Sequence, residues 1–107
     1  MVRFDYVPIQ VMKGPLGDAV RCERITVSTT ATPLSTESVK TITGVLIRAE
    51  STNTSTVYVG NENVTISNGF PLSPGDALTL EIADLSKVYV ITDSGTQYVR
   101  IIYVVWE

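Results

Sequence analysis

The side chains able to do chemistry in this sequence are carboxylates with no histidine to work beside them. The chain of 107 residues holds 11 Asp and Glu, 8 Lys and Arg, a single cysteine and no His. Without His there is no Ser-His-Asp triad, no Cys-His pair, no His-ligated zinc and no imidazole base near neutral pH. A carboxylate pair could still act as in glycosidases, which need two acids facing one bond. Asp5, Asp18, Glu50, Glu62, Asp76, Asp84 and Asp93 instead mostly stand singly, at turns or strand ends where Asp caps a reversal. The expectation is a non-enzymatic protein with no catalytic residues.

Binding chemistry is equally sparse. The turn Gly60-Asn61-Glu62-Asn63 with Asp76 or Asp84 offers oxygen ligands, but no spacing matches a dedicated calcium loop, so no metal and no cofactor is expected. GNENVTISNG lacks the Lys-Ser/Thr end of a phosphate loop. Tyr58, Tyr89, Tyr98, Tyr103 and Trp106 could stack on sugars if clustered; the plainer reading is aromatics in cross-strand pairs. Cys22 excludes an internal disulfide and reads as a small strand residue, of the kind usually buried, with an intermolecular disulfide as the alternative. The triplets at Asn53 and Asn63 read as chance matches to a glycosylation site in a Ser/Thr-rich chain.

The formal charge of −3 and the scattered basic residues speak against nucleic acid. The longest apolar run, IIYVVW at 101–106, is too short for a membrane helix, and the first ten residues lack a signal peptide's apolar core. These features predict a soluble, unprocessed chain with no nucleic-acid or membrane partner.

The elements that would position these groups are strands. The chain is 44% apolar and 18% charged, and its apolar residues are mostly β-branched. VRFDYVPIQVM is extended, and Pro8 marks it as an edge or arm, so residues 1–18 are read as an N-terminal arm or edge strand with Val2, Phe4, Tyr6 and Ile9 meeting a partner. AVRCERITVS (19–28) is a strand whose apolar residues change face at Arg24, which predicts a bulge or a surface partly buried by a neighbour. TTATPLSTES (29–38) reads as the longest connection. SVKTITGVLIRAE (38–50) is a long strand with a bulge or sharp bend at Gly44, with Val45, Ile47 and Ala49 on one face and Leu46, Arg48 and Glu50 on the other.

STVYV (55–59) and VTIS (64–67) read as strands, and Asn68-Gly69 as a tight reversal with positive φ at Gly69. Pro74-Gly75 fits the centre of a type II turn, again with positive φ at Gly75. DALTLEIADL (76–85) alternates cleanly, with Leu78, Leu80 and Ile82 inward. KVYVITD (87–93) and TQYVRIIYVVWE (96–107) read as a terminal hairpin turning at Ser94-Gly95. The sum is one all-β domain over residues 1–107, an antiparallel β-sandwich or jelly-roll-like barrel of about seven or eight strands.

The last strand carries apolar residues on both faces: Val99, Ile101, Tyr103 and Val105 on one, and Tyr98, Ile102, Val104 and Trp106 on the other, broken only by Arg100. One core covers one face, so Tyr98, Arg100, Ile102, Val104 and Trp106 are the expected oligomer interface.

From about residue 44 onward, Gly44-Val45-Leu46-Ile47, Asn53-Thr54, VYVG (57–60), VTISNGFPLSPGD (64–76), DLSKVYVI (84–91) and YVRIIY (98–103) together resemble small β-sandwich virion proteins of tailed bacteriophages. The likeness covers a little over half the chain. It implies a structural virion protein, a capsid decoration or cement protein binding and stabilising the assembled head, located on the capsid surface and made in the host cytoplasm. Its implied partners are the major capsid protein or other virion proteins and copies of itself, as a homotrimer. A carbohydrate-binding or host-attachment module of a phage fibre is the alternative.

Overall fold

Alternation of inward and outward side chains draws residues 17–106, the part described in a computed structural model, into eight strands. They are β1 (Ala19–Val27), β2 (Thr32–Pro33), β3 (Val45–Ala49), β4 (Val57–Gly60), β5 (Phe70–Leu72), β6 (Ala77–Leu80), β7 (Tyr89–Thr92) and β8 (Gln97–Val105), with one 3-10 turn at Leu85–Lys87. The pairs β1·β8, β2·β7, β3·β6 and β4·β5 are nested and antiparallel, which is the pairing of a single two-stranded ribbon with its tip between β4 and β5. Two further pairs, β3·β8 and β4·β7, fold that ribbon on itself. The result is two four-stranded sheets, ordered β1-β8-β3-β6 and β2-β7-β4-β5. This is an eight-stranded jelly roll, the sandwich form of the all-β class expected from the sequence.

The inner faces meet as the alternation requires. In β3, Val45, Ile47 and Ala49 are buried while Leu46 and Arg48 are exposed. In β8, Val99, Ile101, Tyr103 and Val105 are buried under the second sheet's Val57, Val59 and Val90. Tyr58 lies between buried valines, and so does Tyr89, between Val88 and Val90. Each fully buried aliphatic side chain contributes about 1.5–3 kcal/mol relative to leaving it in water.

Several expectations are corrected. The last two strands are not a hairpin: β7 belongs to one sheet and β8 to the other. Between them the chain turns the corner of the sandwich through Gly95 (φ 66°), and the buried Gln97 side chain ties that corner to the 54–55 loop. β1 has no bulge; its nine residues pair continuously with β8, from Ala19 opposite Val105 to Val27 opposite Gln97. Its change of face arises because Arg21 and Glu23 occupy inward positions near the open edge, where both remain exposed.

VTIS (64–67) is not a strand. The 61–69 loop folds around Val64, which is 4% exposed and lies under Gly60 and Gly69, while Ile66 points to solvent. Gly69 therefore lacks the positive φ predicted for it. It is required by contact: a Cβ there would sit 2.6 Å from Tyr58 Cβ and 2.8 Å from Val64 Cγ2. Finally, the 29–38 stretch is more than a connection, since Thr32 and Pro33 pair with β7 and Leu34 is buried at 2% exposure.

The turn at Pro74-Gly75 holds, and the long strand over 38–50 is cut back to Val45–Ala49. Gly75 has φ 92°, and the Asp76 N–H donates to Ser73 O at 2.9 Å, closing a type II reversal over Pro74-Gly75. Gly44 has φ 111° and ends the long 38–50 element, so that β3 begins at Val45; a Cβ there would lie 2.0 Å from Leu80 O. The ladder resumes beyond it as the isolated bridge between Lys40 and Asp84. β6 itself stops at Leu80, short of the 76–85 expected, although Ile82 keeps the half-buried inward phase.

Candidate functional site

β8 is the strand on which a surface can be built, because it lies inside its sheet between β1 and β3 and its odd-numbered side chains fill the core. Its even-numbered side chains face outward, and register carries them across the neighbours. Val20 stands opposite Val104, Cys22 opposite Ile102, and Leu46 opposite Ile102 on the other side. Exposures of 65% for Val20, 40% for Leu46, 41% for Ile102 and 39% for Trp106 make this an apolar outer face. Val104 is half-buried, packed near Gly17 and accepting the Ile42 N–H at 2.9 Å through its carbonyl.

One row further along, Arg24 lies opposite Arg100 and Arg100 opposite Arg48, so three guanidinium groups cross three adjacent strands. Like charges directly opposite one another repel. Glu50, at the end of β3, relieves part of this: Oε2 accepts from Arg24 Nε and from Arg100 Nε, both at 2.7 Å, and Oε1 accepts from Arg24 Nη2 at 3.1 Å. Hydrogen bonds first from Arg24 and then from Arg100 hold the Glu50 carboxyl down at about 2. Arg24 also lies 3.7 Å from the centroid of the Tyr98 ring, in cation–π contact.

The backbone beside the row is pinned by a side chain. Asn53 Nδ2 donates to Tyr98 O at 2.9 Å and its Oδ1 accepts from Tyr98 N at 2.9 Å, beside the Glu50 N–H, which also donates to Tyr98 O at 3.1 Å. That use of the amide leaves the Asn53 triplet a structural one. On the inner side, the Tyr103 hydroxyl donates to Glu23 Oε2 at 2.7 Å, and burial, with the Glu23 carboxylate beside it, pushes the phenol up to about 12.

The expected interface residues Tyr98, Arg100, Ile102, Val104 and Trp106 are thus brought onto one outward face. Val2, Phe4, Tyr6 and Ile9 lie outside the described residues. Cys22 is in a strand as read, but exposed rather than buried, because it shares the outward phase of Ile102. The aromatics divide among three surfaces: Tyr58 and Tyr89 on the second sheet's outer side, Tyr98 and Trp106 on the first sheet's, and Tyr103 in the core. The oxygens considered for calcium close local structure instead. Asp76 accepts the Ser73 N–H at 3.1 Å, and Asp84 caps the 3-10 turn through Ser86 and pairs with Lys40 at 3.1 Å. The Ser86 N–H and the Ser38 hydroxyl push the Asp84 carboxyl well below the usual carboxylate range.

Sequence reasoning missed Glu50, Leu46, Arg48 and Arg24 as members of this face. The alternation of 45–50 already put Leu46, Arg48 and Glu50 together; the missing information was that β3 and β1 flank β8.

No family model matches this chain, and no curated protein matches it. Among solved structures, a chain from work on Bacillus endospore appendages, described as forming a novel family of disulfide-linked pili, is similar. At 14% identity and a TM-score of 0.41, the likeness covers 81% of this chain and 86% of that one, and it carries no argument about function.

Proposed function

We propose that this chain is a non-enzymatic structural protein of a virion, a decoration or cement protein that binds and stabilises an assembled phage head. The observation that carries the reading is the doubly apolar central strand: β8 fills the core with one face and presents Ile102, Val104 and Trp106, beside Leu46 and Val20, on the other. A solvated antiparallel face alternates with polar residues, and an exposed apolar stripe of this kind marks an association surface. The resemblance of residues 44–103 to phage virion proteins supplies the context. A lattice-binding subunit needs a rigid complementary surface and multivalency, since each added contact in a tethered assembly acts at high effective concentration.

On this reading the Val20, Val104 and Trp106 end of the first sheet's outer face packs against a second copy in a cyclic homotrimer, with Ile102 at the border of that contact and the arginine row beyond it. The major capsid protein, at the capsid surface, is the further partner. Light scattering of the unmutated chain and of Ile102→Lys tests the oligomer: an oligomer should fall to monomer in the variant, which would place a charge in the interface. Mixing with assembled heads and imaging them tests the function. A monodisperse monomer at micromolar concentration with no regular occupancy of the heads would reject it.

A further inference from the structure

The arginine row holds more positive charge than its own partner neutralises. Three guanidiniums, Arg24, Arg100 and Arg48, stand in the row, and the one carboxylate bonded within it among the described residues, Glu50, leaves a local excess of two positive charges on a chain whose formal charge is −3. Glu50 takes Arg24 and Arg100; among the described residues no carboxylate pairs with Arg48. Arg100 is 64% exposed at its side chain and engages Glu50 only through Nε, so its remaining donors also face outward. Both groups sit on strands held on each side by neighbours, so their spacing is fixed by the sheet.

The surface around the row has a matching shape. On one side lies a depression of about 370 Å³ with Leu46, Ile102 and Cys22 in its lining. On the other lies one of about 250 Å³ bounded by Glu50, Ser51 and Thr52. Arg48 and Arg100 border both. Along a strand the step from the Ile102 row to the Arg100 row is two residues, about 6.6–6.8 Å.

We propose that this groove over β8 is a docking site for an extended acidic segment of a partner protein, with an apolar side chain in the Leu46–Ile102 depression and a carboxylate, two residues on, held between Arg48 and Arg100. Guanidinium forks match carboxylates in bidentate geometry, which suits Arg48, whose fork meets no carboxylate among the described residues. Polyphosphate is the poorer fit, because half the groove is apolar and has nothing to pair with a second phosphate. The inference rests on the proposed function only for the partner being a protein; it names that partner's chemistry.

The test uses the full chain labelled at arginine nitrogen and observed by NMR, titrated with a short peptide in which leucine and glutamate stand two positions apart with threonine between them, so that both face one side of the extended backbone. Its glutamine twin and a single-stranded thymidine oligonucleotide serve as comparisons, all at one ionic strength. Saturable shifts of the Arg48 and Arg100 Nε–H signals are expected with the glutamate peptide alone. Arg48→Gln should weaken that binding about tenfold, the equivalent of about 1.4 kcal/mol, while Lys87→Gln, away from the groove, should leave it unchanged. Shifts that never saturate, equal binding of the glutamine twin, tighter binding of the oligonucleotide, or indifference to Arg48→Gln would each overturn the proposal. Occupancy of assembled heads by the wild type and by Arg48→Gln is measured in parallel. Equal occupancy overturns the acidic docking site and leaves the structural role standing. Peptide binding without head binding sustains the site and removes the role.

Discussion

Replacing Gln97 by Leu should cost the fold about 2–3 kcal/mol, although it exchanges one buried side chain for another of similar size. Gln97 is 1% exposed and makes four hydrogen bonds. Its Oε1 accepts the Thr54 and Ser55 N–H groups at 2.8 and 3.3 Å, and its Nε2 donates to Ser94 O at 3.0 Å and Thr54 Oγ1 at 3.2 Å. At about 0.5–1.5 kcal/mol for each bond the loss would reach about 2–6 kcal/mol. Thr54 and Ser94 are themselves exposed, so water recovers part of it and the low end applies. For a domain of this length that is a fall in Tm of roughly 10–20 °C. Urea denaturation should show a lower midpoint with an unchanged slope.

Gln97→Glu separates the donors from the acceptors. It keeps the Oε1 contacts, and the Thr54 hydroxyl can turn to donate, but it sets an anionic oxygen against the Ser94 carbonyl, which can only accept. The carboxyl is pushed up in the folded state, so the penalty is absent below the unfolded value, about 4.3, and grows as pH rises towards the folded one. The Glu variant should therefore approach wild-type stability on acidification, and the Leu variant should not. A Leu variant within about 0.5 kcal/mol of wild type would refute the reasoning, showing that the corner's amides exchange protein for water at no cost.

Gly75→Val should destabilise by about 1–2 kcal/mol purely through its φ of 92°, since nothing lies within 4 Å of a Cβ there; a melting temperature unchanged from wild type would contradict this. Gly69→Ala should cost about 1–3 kcal/mol for the opposite reason, overpacking against Tyr58 and Val64 at ordinary φ, and trimming Val64 to Ala in the same chain should recover part of the loss. The Glu50 carboxyl, held at about 2 against an ordinary 4.5, contributes stability that is fully present above about 4.5 and lost as pH falls towards 2. In denaturant midpoints followed from neutral pH into acid, the gap between wild type and Glu50→Gln should close over that window, and a gap constant with pH would rule the assignment out.

What was legible in the sequence was parity, and what was hidden was neighbourhood. Alternation placed Val45, Ile47, Val99 and Ile101 in the core and their even-numbered neighbours outside, because a strand's side-chain period is fixed by its own backbone. The same short-range logic failed where two segments close in sequence join different sheets. A turn at Ser94-Gly95 between two apolar runs looks like a hairpin, and only the pairing of β8 with β1 and β3 sends it across the sandwich. VTIS failed for a related reason: one buried valine satisfies a loop as well as a strand, and four residues carry too few alternations to choose. The arginine row was least legible of all, since Arg24, Arg48 and Arg100 meet only through two long-range registers.

Those registers also decide how well the row can serve recognition. Side chains that must be ordered on binding each cost about 0.5–1.5 kcal/mol, which a preorganised surface avoids. Arg24 and Arg100 are held by Glu50, Arg24 is stacked on Tyr98, and Tyr98's backbone is clamped by Asn53. Ordering has therefore been done by the fold for two of the three guanidiniums, and Arg48, which pairs with no carboxylate among the described residues, has its own rotamers to settle. Removing Glu50 would raise the positive charge of the groove, yet it would release Arg24 and Arg100 from their fixed positions. The nested ribbon places β8 at the centre of its sheet, and that position ties the outer surface to the core: the strand that carries Arg100 and Ile102 outward is anchored inward by Val99, Ile101 and Tyr103.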